Sequence, residues 1–118
     1  MLLELLLCGC NGSTKAVAGG YALTRFDEGG TTYYLTASGE RSSGGGVFDG
    51  TVQEIGWNND WILARINRLY QGDTNGWYAL NLKTRQVIGP IQESDLSKNS
   101  SFLGIKCRTP SDVFAGKN

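Results

Sequence analysis

Hydrophobic and polar residues alternate along much of this chain, in short runs separated by turns rich in glycine and asparagine. Alternation with a period of two residues is typical of β-strands that bury one face. The pattern predicts strands over residues 21–26, 31–37, 47–57, 61–66, 77–82 and 87–89. We therefore expect a mainly β fold, an antiparallel meander of about six strands with a short C-terminal helix.

The residues at its N-terminal end predict the short C-terminal helix. Thr109 is a suitable N-cap, Pro110 suits the first helical position, and an acidic residue, Asp112, occupies the third. Together they resemble a capping box and predict a helix over residues 110–115.

Residues 38–46 contain no apolar side chain and match no phosphate-binding glycine motif, so they predict a flexible loop.

The tryptophans provide the candidate binding residues. In the predicted strand 61–66, Ile62, Ala64 and Ile66 form the more obvious core face, which places Trp61 and Arg65 on the other face. Tryptophan, tyrosine and arginine are enriched in protein-binding hot spots. We predict a partner-binding patch, with the alternative that these rings complete a small core. Its residues are Trp57, Trp61, Arg65 and Trp77.

Composition limits the chemistry. The chain has 118 residues, enough for one domain, and no histidine, which removes the commonest general base and zinc ligand. The serines and carboxylates form no recognisable catalytic motif, so we predict no enzymatic activity, metal site or cofactor. An Asp-Thr-Asn-Gly sequence at 73–76 lacks the other ligands of a calcium loop and is interpreted as a turn.

The charges balance overall but not locally. Lysine plus arginine and aspartate plus glutamate number 11 each, which argues against a nucleic-acid partner. Residues 1–60 contain three basic and seven acidic residues, whereas residues 61–118 contain eight basic and four acidic residues. The two halves either mix their charges on one surface or form a polarised face that steers a charged partner.

The N-terminal segment, residues 1–10, is largely apolar and ends with two closely spaced cysteines. Leu7-Cys8-Gly9-Cys10 resembles the lipobox of exported bacterial lipoproteins. The resemblance implies cleavage before Cys10, lipidation of that residue and a location in the cell envelope. It divides the chain into a shortened signal segment at 1–9, a polar tether at 10–18 and a β-rich domain at 19–118. The apolar stretch is shorter than the ~20 residues needed to span a bilayer.

Other roles for the cysteines remain open. Cys8 and Cys10 with Cys107 offer three thiolates toward a zinc site, although a fourth ligand would have to be a carboxylate. Cys107 could instead form a disulfide with Cys8 or Cys10 in an oxidising compartment. As a lone cysteine, Cys107 is interpreted as a small buried apolar residue.

Three further segments support a family resemblance. They are the Gly-Tyr-Ala-Leu-Thr-Arg sequence at 20–25, the Ile-Gly-Trp-Asn sequence at 55–58 and the Gly-Pro pair at 89–90. In this respect the chain resembles a group of small uncharacterised bacterial lipoproteins. The resemblance implies an envelope-tethered β domain and transfers no catalytic residue.

These observations favour a non-enzymatic envelope lipoprotein that binds a protein partner. One role consistent with this is that of an inhibitor or immunity protein acting against an exported toxin. The alternative is a small-ligand or cell-wall glycan binding module that uses the tryptophans, and an enzyme ranks third.

Overall fold

The computed structural model describes residues 12–27, 29–37, 46–68 and 75–116. Within these ranges the fold is mainly β and antiparallel with a short C-terminal helix, as predicted. The strands form two sheets, one of three strands in the order β1-β2-β3 and one of four in the order β4-β5-β6-β7. The strands are β1 (Gly12–Ala16), β2 (Tyr21–Phe26), β3 (Thr32–Ala37), β4 (Thr51–Trp57), β5 (Trp61–Asn67), β6 (Gly76–Asn81) and β7 (Val87–Ile91).

The three-stranded sheet contains the predicted hairpin and one additional strand. Strands β2 and β3 pair with Leu23 opposite Leu35, and both side chains are fully buried. Strand β1 pairs with β2 along its whole length, although residues 10–18 were predicted to be a polar tether. That prediction is corrected over residues 12–16, because backbone pairing at a sheet edge needs no buried side chains. The predicted signal segment and Cys10 lie outside the described residues.

The four-stranded sheet buries both of its faces. On one face, Ile62, Ala64 and Ile66 of β5 pack against Leu23 and Leu35 of the other sheet, which confirms the predicted core face. We call this cluster the main core. On the other face, a smaller second core forms from Leu63, Trp77, Ala79 and Phe102.

The predicted strand 47–57 begins later than expected. Residues 46–49 form a turn in which Asp49 adopts a positive φ of 59°, and Phe48 reaches from this turn into the main core. Strand β4 then starts at Thr51. Most of the predicted loop at 38–46 lies outside the described residues.

The C-terminal region first crosses the second face of the four-stranded sheet and ends at the main core. It contains helix α1 (Glu93–Leu96), a 3₁₀ helix (Ser100–Phe102) and helix α2 (Pro110–Phe114). The N-cap prediction for α2 is confirmed, since the Thr109 hydroxyl accepts a hydrogen bond from the Asp112 backbone N–H at 3.3 Å. Val113 anchors α2 in the main core.

Candidate binding site at the edge of strand β4

The four residues of the predicted patch do not share one surface. Arg65 and Trp77 are register partners on neighbouring strands, and Trp61 lies on the same face of β5 as Arg65. Trp57 packs against the main core, on the opposite face of the sheet. The structure therefore brings together three of the four predicted residues.

Two of these three residues are part of the second core. Trp77 is only 7% exposed, which agrees for this ring with the alternative that the rings complete a small core. Trp61 is half-buried and makes an edge-to-face contact with Phe102, with ring centroids 5.3 Å apart. The burial arises because the segment after β7 folds back over this face. A partner-binding role for these residues remains a prediction.

Arg65, the charged member of the patch, is paired within the protein. Its Nη2 and Nε atoms lie 2.8 and 2.9 Å from Oε2 of Glu54 on β4. Both side chains are partly exposed, at 43% and 34%. An ion pair in this setting contributes on the order of 0.2–1 kcal/mol, and it neutralises the charge that a partner would otherwise meet.

A second group of residues lies along the outer edge of β4. Residues 103–108, which we call the strap, run beside this edge and join it through one antiparallel bridge between Ile55 and Arg108. The two residues exchange backbone hydrogen bonds of 2.8 and 2.9 Å. The strap therefore extends the sheet beyond β4 by one short pairing.

Side chains of the strap alternate between the two sides of this edge. Ile105 and Cys107 pack against the second core, whereas Lys106 and Arg108 line a surface cavity on the other side. This is the period-two alternation of an extended chain. It separates the apolar residues of the strap from its cations.

Cys107 is unsuited to thiolate chemistry at neutral pH. It has a free thiol, and desolvation by burial, helped by the nearby Glu54 carboxylate, raises its pKa from 9.0 to about 11. The thiolate is the nucleophilic form of cysteine, and it is scarce when the pKa lies this high. The geometry agrees with the interpretation of Cys107 as a packing residue.

The cavity has a volume of about 240 Å³ and is lined by Trp57, Gly104, Lys106 and Arg108. The guanidinium carbon of Arg108 lies 5.4 Å from the centre of the Trp57 ring, a cation–π contact. Lys106 is exposed and makes no ion pair with any residue that the structure describes. Leu103, next to Gly104, is 60% exposed.

A turn fixes the position of Trp57 at this cavity. The Asn58 side-chain oxygen accepts hydrogen bonds from the backbone N–H groups of Asp60 and Trp61, each at 2.8 Å. The Asn58 amide also donates to the carbonyl oxygen of Ser101, at 3.4 Å. The turn thus links the end of β4, where Trp57 lies, to the segment that leads into the strap.

Sequence reasoning identified Trp57 but missed its neighbours. The only local signal was the alternation of Lys106 and Arg108 around Cys107. That alternation indicates an extended segment with two cations on one side, but it does not show which strand the segment joins. Leu103 gave no signal, because a single exposed leucine is common on protein surfaces.

The described ranges contain no group of three or more histidine, cysteine, aspartate or glutamate residues placed to hold a metal ion. Nor do they contain a helix long and apolar enough to cross a membrane. Comparisons with protein-family models, with curated proteins and with solved structures found no match to this chain. The resemblance to small bacterial lipoproteins therefore remains a prediction.

Proposed function

We propose that this protein is a non-enzymatic, lipid-anchored protein of the bacterial cell envelope that binds a protein partner through the cavity beside β4. The single observation that supports the binding role is the grouping of an aromatic ring and two cations around one cavity, with the exposed Leu103 next in sequence to Gly104 of the cavity wall. We call Trp57, Leu103, Lys106 and Arg108 the strap surface.

The residue types of the strap surface, and the contacts that hold the strap in place, suit protein recognition. Tryptophan and arginine are among the residue types most enriched in binding hot spots, and the exposed Leu103 adds apolar area beside Gly104 in the strap. The strap is fastened on one side by the Ile55–Arg108 bridge and on the other by the second core. A surface held in place before binding loses less conformational entropy when the partner docks.

The envelope location is supported by the lipobox resemblance of Leu7 to Cys10. A lipid on Cys10 would hold β1, which starts at Gly12, within a few residues of the membrane. An inhibitor or immunity protein is consistent with a small binding domain attached in this way, with the partner approaching from the envelope or from outside.

The arrangement at Trp57 favours a protein partner over a glycan. Glycans bind by stacking on open aromatic faces, and the guanidinium of Arg108 lies over the Trp57 ring. Trp77 is buried and Trp61 contacts Phe102, so neither offers an open platform. This geometry gives no separate support to the glycan-binding alternative.

Affinity capture tests the proposal. The protein would be used as bait in envelope and secreted-protein extracts of the source organism, beside Leu103→Ser and Ile88→Ser variants. Both side chains are exposed, at 60% and 44%, and Ile88 lies on β7 at the opposite edge of the sheet. We expect one stoichiometric partner that the Leu103 variant loses and the Ile88 variant retains. Equal capture by all three would contradict binding at the strap surface.

A further inference from the structure

We infer that the cavity lined by Trp57, Lys106 and Arg108 binds the carboxylate of an acidic side chain on the protein partner. This inference rests on the proposed function and names the chemistry of the segment that docks there. The recognised element is an aspartate or glutamate next to an apolar residue, with the carboxylate in the cavity and the apolar side chain on Leu103.

The charge at the cavity is the first argument. Both cations that line it project from the same side of the strap, two residues apart, and Lys106 forms no ion pair within the described ranges. The one acidic residue of β4 is Glu54, which is paired with Arg65 on the other face of the sheet. The charge of Lys106 is thus available to an anion from outside.

The aromatic wall is the second argument. Trp57 holds the Arg108 guanidinium at the cavity through the cation–π contact, which restricts where the long side chain can move. A guanidinium has five N–H donors and suits a planar, two-oxygen acceptor, and a carboxylate has that shape. Lys106 adds an ammonium group on a flexible side chain, which can donate hydrogen bonds to the carboxylate from a wider range of positions.

The size of the cavity is the third argument. Pockets for drug-sized ligands and cofactors have volumes of about 300–1,000 Å³. At about 240 Å³, and open to the surface, this cavity suits one side chain or a group of similar size. Gly104 leaves open space at its wall, since a Cβ atom there would meet no other atom within 4 Å.

Titration by nuclear magnetic resonance tests the inference directly. The full chain, labelled with nitrogen-15, would be titrated with acetyl-leucyl-glutamate amide, with the matching glutamine peptide and with inorganic phosphate. We expect the glutamate peptide to shift the Trp57 indole and the Lys106 and Arg108 amide signals. The glutamine peptide should bind about tenfold more weakly, because it lacks the charge that strengthens these hydrogen bonds.

A matched pair of variants assigns the effect to the cavity. Lys106→Gln removes the exposed cation at the cavity, and Lys15→Gln removes an exposed cation from β1 in the other sheet. We expect only the Lys106 variant to weaken binding of the glutamate peptide, by about tenfold. Dispersed spectra of both variants would show that each is folded.

The outcomes separate this inference from the proposed function. If the glutamate and glutamine peptides shift the same signals equally, or neither shifts them, the carboxylate inference is wrong. If phosphate competes as well as the glutamate peptide, the cavity is a general anion site and the inference is also overturned. In either case, loss of the captured partner in the Leu103→Ser variant but not in Lys106→Gln would leave protein binding at the strap surface intact.

Discussion

Gly56 of β4 and the backbone of Lys106 lie in direct contact. A Cβ atom on Gly56 would be 2.6 Å from the Lys106 carbonyl oxygen and 2.8 Å from Cγ2 of Ile105. Both distances are shorter than normal van der Waals contact, and the carbonyl belongs to the backbone, which cannot rotate away. The strap therefore reaches the edge of β4 only because residue 56 has no side chain.

The first prediction concerns this contact. Gly56→Ala should push the strap away from β4, weaken the Ile55–Arg108 bridge and destabilise the protein by about 1–3 kcal/mol, the usual cost of overpacking. Urea unfolding measures the loss. Gln53→Ala, at an exposed position of the same strand, is the control and should change stability by less than about 0.5 kcal/mol. A Gly56 variant as stable as this control would show that the strap moves freely.

The second prediction concerns Trp77. Its side chain is buried, and its indole N–H has no hydrogen-bond partner among the described residues. Trp77→Phe retains an aromatic ring and removes a buried donor that makes no bond, so it should cost much less than Trp77→Ala. The alanine variant should lose about 3–5 kcal/mol, because it leaves a large cavity in the second core. Urea unfolding of both variants compares the two losses. Equal losses would mean that the N–H has a partner that stabilises the fold.

Regular patterns allowed much of the fold to be predicted. Strands β2 and β3 are rich in tyrosine and threonine and are separated by the Gly29-Gly30 turn, and Thr109 followed by Pro110 marks a helix start. In these segments the local conformational preferences of the residues agree with the final fold. Strand β1 was missed because Ser13, Thr14 and Lys15 are polar and exposed, so only its backbone pairing with β2 defines it.

The second core and the cavity could not be predicted from such patterns. Phe102, Ile105 and Cys107 lie in a segment whose short alternation around Cys107 does not show which face it packs against, and they cover the sheet only after the chain folds back. This return buries Trp77, whereas Trp57 lies on the opposite face of the sheet. The cavity forms in the same step, since it needs Lys106 and Arg108 beside a tryptophan about fifty residues earlier in the chain. Contacts over such distances in sequence depend on tertiary packing, and no local pattern shows which segments will meet.

The third prediction concerns Cys10. If the lipobox resemblance is correct, the signal segment is cut before Cys10, which then receives the lipid, while Cys8 is removed. In the source organism, a labelled fatty acid should be incorporated into the natural protein and into Cys8→Ser, but not into Cys10→Ser. The labelled protein should be found in the membrane fraction. Equal labelling of the Cys10 variant would contradict lipidation at Cys10, and no label in the natural protein would contradict the envelope anchor; both results would leave the proposed binding site unaffected.

The last prediction concerns the pH dependence contributed by Cys107. Burial raises the pKa of its thiol from 9.0 to about 11, so the folded state favours the protonated form more than the unfolded state does. The stability linked to this thiol is therefore fully present below pH 9 and is lost as the pH rises toward 11. Urea unfolding between pH 8 and 11 would compare Cys107→Ser with its parent, both with Cys8 and Cys10 replaced by serine. The difference between the two curves isolates the contribution of the Cys107 thiol from that of the other ionisable groups. The parent should lose stability more steeply than the Cys107 variant, and parallel curves would show that the thiol ionises as easily in the folded protein as in the unfolded chain.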